Sequence, residues 1–200
     1  MGKVKRNLAR NLPYILIVCG LIMLIASLAL SIDNDKILAN PSYVPSCNLN
    51  PVVSCGSVLQ AKQGKTFGFP NPFIGLVASG VVITTGVSML AGAKFKKWYY
   101  QGLEIGSLLG IAYISWLFYQ SLYRLHDLCP YCLSVWVATI TTFWYVSLYN
   151  IDKENIKLPK KLIKPYTWVR KHHLDLLILI FLIIAGVILN HFWYYYGKYF

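Results

Sequence analysis

Charge is scarce in this chain. Asp, Glu, Lys and Arg make up 13% of its 200 residues, against about 25% in an average soluble domain. So little charge cannot coat a water-facing surface, which argues against an ordinary soluble fold. Cysteine is also sparse, with five copies, so the position of each can be weighed singly. No internal repeat is recognisable, and a stacked-unit architecture is not expected.

What is abundant is apolar surface, with 56% hydrophobic residues and a positive mean hydropathy. It is gathered into five runs. Residues 13–32, 72–93 and 129–149 carry no charge, 98–122 holds only Glu104, and 173–192 holds only Asp175. Each is close to the roughly 20 residues that cross a hydrocarbon core. The expected fold is therefore an all-α integral membrane protein. The first run, long enough to span, is read as the first helix of the bundle and not as a cleaved signal peptide.

The net charge of +12 would suit nucleic acid, but its distribution points to a membrane. If all five runs span, 14 of the 19 basic residues fall on one side. They occupy the N-terminus (Lys3, Lys5, Arg6, Arg10), the connection after the second span (Lys94, Lys96, Lys97) and the connection after the fourth. The last is read as a basic collar near lipid headgroups, from Lys153 to Arg170 and Lys171. This bias puts the N-terminus in the cytoplasm and the C-terminus outside, in a plasma or inner membrane. The closing run HFWYYYGKY suits a membrane interface.

Four of the cysteines then share the outer face, where disulfides persist. Cys47 and Cys55 lie on a long connection, residues 33–71. There NPSYVPS reads as extended, because Pro41 and Pro45 disfavour helix before them, and residues 51–63 as a short helix starting near Pro51. Val52, Val58 and Leu59 are expected to cap the bundle or rest on the membrane. Cys129 and Cys132, in HDLCPYCLSVW, open the fourth span after a tight turn. Pro130 suits an early helical position, and a cysteine at a helix start meets unsatisfied N–H groups that favour its thiolate. Asp127 is a candidate N-cap, and His126 and Asp127 could tune the thiols. Cys19, inside the first span, is read as a buried apolar side chain.

Two dithiols on one face, one near water and one near lipid, suggest relay by thiol–disulfide exchange. A protein partner would meet one pair, and a lipid-soluble acceptor such as a quinone the other. Inert structural disulfides and a four-thiolate metal site are the rival readings.

The four cysteines, their order and the CPYC motif at the fourth span resemble the vitamin K epoxide reductase family over roughly residues 13–150. The resemblance implies a four-helix bundle around a quinone with a fifth helix beside it: a catalytic unit at 1–150 and, at 151–200, the basic connection and fifth span. It implies that Cys132 faces ubiquinone or menaquinone, that Cys129 exchanges with Cys55, and that Cys47 exchanges with a thioredoxin-like partner. No such domain is present in these 200 residues, so a separate outer-side partner and a monomeric enzyme are expected. Asn71, in FPNPF, matches an asparagine that hydrogen-bonds the quinone in that family; its plain alternative is a helix N-cap. Phe73 and Trp136 are further candidate quinone contacts. Trp136 stands where animal members have tyrosine, which weakens vitamin K epoxide as substrate and leaves plain quinone reduction as the reading. In another quinone-reducing disulfide family the close-spaced motif comes first; here it comes last.

Overall fold

The computed structural model describes residues 2–197. It is all-helical, and five of its helices are long and apolar enough to span a membrane. The first is α1, Gly2–Ala39. A short α2, Cys55–Gln60, follows in the long connection. The next three spans are α3, Pro72–Leu90, α4, Lys97–Gln120, and α5, Pro130–Asp152. A π-helical turn, Ser121–Leu125, continues α4. Beyond α5 come α6, Ile163–Lys171, the fifth span α7, His173–His191, and a last turn α8, Trp193–Tyr196. Residues 198–200, which include Lys198 and the end of the aromatic tail, lie outside the described residues.

The apolar surplus is deployed on two sides. Leu12, Leu16 and Met23 of α1, Val82 of α3, and Ala138, Tyr145 and Val146 of α5 form the main core. The other apolar faces point outward. Leu109 of α4 is 65% exposed and Leu182 of α7 63%, a surface too greasy for water and suited to lipid. The chain is a multi-pass membrane protein.

Small residues let α1 and α3 approach closely, as at helix interfaces in membranes. A Cβ on Gly86 would lie 2.8 Å from the Pro13 carbonyl oxygen and 2.8 Å from Ile17. Helix α1 runs past Ile32 to Ala39, further than its apolar run suggests. The added turns support the cysteine segment of the following connection, against which Leu30 and Ile37 pack.

At the opposite end of the bundle, α6 is a helix that the charge pattern does not announce, and Arg170 is not a lipid-facing collar residue. It is 5% exposed, and its guanidinium lies 3.0 Å from the Asp152 carboxylate at the end of α5. The Tyr166 hydroxyl donates to the same carboxylate at 2.9 Å; burial, helped by that bond, pushes the phenol well above its usual range. Glu104 faces the bundle, accepting from Ser147 at 2.5 Å and Asn150 at 3.1 Å. Asp175 is exposed beside His172. The Arg170–Asp152 pair can be tested directly. Arg170→Met strands a buried carboxylate and should loosen α6 by about 3–5 kcal/mol. Limited proteolysis of residues 153–162 should accelerate accordingly, and Asp152→Leu added to Arg170→Met should restore most of the protection. Equal cleavage in all three proteins would refute the pair's role.

A candidate redox site at one end of the bundle

The site grows from the start of α5. Pro130 takes the first helical position, and Cys129 itself is the N-cap, with extended backbone (φ −103°, ψ 118°). Its sulfur accepts the Cys132 N–H at 3.4 Å. Asp127 does not serve as the cap expected of it. It closes the preceding turn, where its N–H donates to the Ser121 carbonyl at 3.3 Å and its carbonyl accepts from the Ser121 hydroxyl. His126, at φ 59°, reverses the chain there, and its ring stacks on His191 of α7 at 5.7 Å. The Cys129 thiol is held below its usual range, chiefly by a hydrogen bond from the Cys132 thiol. The backbone N–H groups of Cys132 and Tyr131 assist, while burial and the Asp33 charge oppose.

The loop is delivered to this helix start by an isolated parallel bridge between Val53 and Leu128. Leu128 N–H donates to the Val52 carbonyl at 2.7 Å, and Ser54 N–H to the Leu128 carbonyl at 2.9 Å. The bridge keeps Val53 extended, so the loop helix starts at Cys55 and not near Pro51. Asn48 fixes that start: its side-chain oxygen accepts the N–H groups of Cys55 and Gly56, both at 2.9 Å. Sequence reasoning misses Asn48, although an Asn next to a loop cysteine is a turn and capping signal.

The outcome is a row of sulfurs. Cys47 and Cys55 form a disulfide with Cα atoms 5.7 Å apart. Across 74 residues of sequence, the Cys129 sulfur comes within 3.4 Å of that of Cys55. Cys129 and Cys132 are free thiols, as is Cys19, which is buried in the main core. Cys47, although on the long connection, is not open to solvent. It is 6% exposed and sits with Leu30, Ile37, Cys55, Leu59 and Cys129 in a small apolar cluster. Val52 and Leu59, 2% and 5% exposed, cap the bundle. The end of α7 supports this arrangement: Phe192, fully buried, packs with Val52, Leu122 and Leu128. The aromatic run that suits a membrane interface thus begins with a residue of the site's own support.

Beneath the sulfurs a cavity of about 490 Å³ runs between α1, α3, α4 and α5. It extends from Trp98 and Tyr99 at the far end of α4 to Cys129 and Cys132. Its volume is that of a small-molecule site. The walls are mainly apolar, with Asn71, Ser107, Gln120 and Thr139 among the polar exceptions. Trp136 lines it, 7% exposed and edge-on to Phe118 at 4.9 Å. Asn71 also lines it but makes no side-chain cap to α3. Its amide instead ties the loop, donating to the Gln63 carbonyl at 2.6 Å and accepting from Thr66 N–H at 3.1 Å. One of its N–H groups remains after those bonds. Phe73 stands apart: it is 41% exposed and is not among the lining residues.

Among the described residues, no three His, Cys, Asp or Glu side chains gather as metal ligands would. The geometry instead offers thiol–disulfide exchange between two pairs, the inner one opening onto an apolar cavity. A family model described as "Vitamin K epoxide reductase family" matches residues 14–147, a range that contains all four cysteines of the site.

Proposed function

The chain belongs to the vitamin K epoxide reductase family, and from that premise we propose that it is a thiol oxidase, passing electrons from a separate thioredoxin-like protein to a membrane quinone. The observation that carries this reading is the 3.4 Å approach of Cys129 to Cys55, with Cys132 lining the cavity behind them.

The exchange proceeds through these residues. A partner thiolate attacks the Cys47 sulfur and expels Cys55. The second partner thiol then displaces Cys47, and the partner leaves as a disulfide. Cys55 attacks Cys129 of an oxidised inner pair and expels Cys132. Cys47 displaces Cys129, restoring the loop disulfide and leaving the inner pair as thiols. That is the distribution seen here: Cys47–Cys55 joined, Cys129 and Cys132 free. Closing the inner disulfide again releases two electrons and two protons, and a bound quinone supplies the capacity to accept them.

The cavity's size and apolar walls fit such a ring. The remaining N–H of Asn71 is the candidate donor to a quinone oxygen, and Trp136 forms an aromatic wall. Because Cys47 is buried, partner docking must first lift the segment around it. The basic residue bias supports a cytoplasmic N-terminus and an outer-face site. Residues 1–150 would form the catalytic unit, and 151–200 its support through Phe192.

The test is reconstitution in liposomes with a reduced thioredoxin-like protein and either ubiquinone or menaquinone. The expected result is one quinone reduced for each partner disulfide formed. Partner thiols that stay reduced while quinone is present would leave the cysteines as inert structural bridges.

A further inference from the structure

The sequence offers no reason to single out Asp33, a polar residue at the edge of an apolar run. In the fold it is 7% exposed, on the part of α1 that reaches past the expected span. One carboxylate oxygen accepts the Tyr43 hydroxyl at 3.0 Å. The other lies 4.0 Å from the Cys47 sulfur. The groups that face it are Tyr43 and Cys47 from the loop and, through its charge, Cys129 at the start of α5. On α1 itself, the Lys36 ammonium lies over the Tyr43 ring at 5.3 Å.

A buried carboxylate held by a phenol beside a redox sulfur has more than a packing role. Resting on the thiol-exchange reading above, we propose that Asp33 is the proton acceptor for Cys47 when Cys47 displaces Cys129 from Cys55. In that step the Cys47 thiol gives its proton to the Asp33 carboxylate. The Cys47–Cys55 bond forms, the Cys55–Cys129 bond breaks, and Cys129 leaves as a thiolate. The proton then passes to the Cys129 thiolate, which gives the free Cys129 thiol and the Asp33 carboxylate of this state; when the partner's second thiol later expels Cys47, Cys47 takes up that thiol's own proton. Over one cycle Asp33 neither gains nor loses a proton. Neutral Cys47 is a poor nucleophile, because the thiolate is the attacking species, and in this apolar cluster there is little water to take the proton instead.

The test is a single turnover of the full-length protein, fully reduced and mixed with one equivalent of a short-chain benzoquinone. Acid quenching, alkylation and mass spectrometry then count each disulfide with time. In the wild type the Cys47–Cys55 disulfide should form with a rate nearly independent of pH between about 6 and 8. In Asp33→Asn it should form about 100-fold more slowly near neutrality. The Cys55–Cys129 disulfide should accumulate, and the rate should climb about tenfold per pH unit as the thiol ionises unaided. Asp33→Glu retains an acceptor and should keep the flat profile, which provides a test even if the asparagine variant is not recovered folded. A flat profile without accumulated Cys55–Cys129 in Asp33→Asn, or a steep profile in Asp33→Glu, would overturn the role of Asp33. Failure of the wild type to oxidise at all would overturn the exchange reading beneath it.

Discussion

Cys132→Ser should lower quinone-dependent thiol oxidation about a thousandfold or more, because residues that act as one catalytic unit fail together. Serine cannot close a disulfide with Cys129, so the inner pair can no longer be re-oxidised. Its hydroxyl can still donate to the Cys129 sulfur and so retains the main influence that favours the Cys129 thiolate. Cys129 lies 3.4 Å from Cys55, and in this variant the bond it makes there by attacking the loop disulfide can be reversed only by the expelled Cys47. A fraction of the protein should therefore carry a Cys55–Cys129 disulfide in exchange with the loop disulfide, found by acid-quenched peptide mapping without reductant. Wild-type turnover in Cys132→Ser would rule out the cavity-facing sulfur as the electron exit.

Cys47→Ser should separate large substrates from small ones. Oxidation of a thioredoxin-like protein should fall by a similar factor of about a thousand, because the remaining sulfurs are screened from a protein surface. Cys55 is fully buried and Cys129 is 2% exposed. A small dithiol such as dithiothreitol needs no docking surface and can reach Cys55 or the inner pair through far smaller openings. Its oxidation should fall by no more than about tenfold, since its exchange with the remaining sulfurs follows the same thiolate chemistry. The two rates, followed side by side as quinone absorbance is lost, check this. If both substrates lose activity equally, Cys47 belongs to the internal relay alone and the partner enters elsewhere.

Much of the protein is written into its local chemistry. Five charge-poor runs of spanning length dictate five helices, because a backbone in lipid must satisfy its own hydrogen bonds. The CPYC motif likewise places Pro130 in the first turn of α5, a preference that belongs to proline wherever a helix starts. The four cysteines are recognisable as two pairs from spacing and topology.

Other features depend on contacts between distant segments, and for these local sequence is silent. Asp127 is the better capping residue by type, yet Cys129 caps α5, because Asp127 is committed to Ser121 in the turn before it. Pro51 looks like a helix start, yet the Val53–Leu128 bridge holds that segment extended and moves the start to Cys55. The same bridge, between segments far apart in the chain, brings Cys55 to Cys129. Asp33 and Arg170 look like ordinary polar residues at span edges. Each is buried because another segment folds over it, the Tyr43–Cys47 loop in one case and the end of α5 in the other. The sequence alone determined that this chain crosses a membrane and carries paired thiols at one end of its helices. Tertiary structure alone decided which sulfur meets which and what stands beside it, because burial and hydrogen bonding are set by all the segments that pack around a group, near or far in the chain.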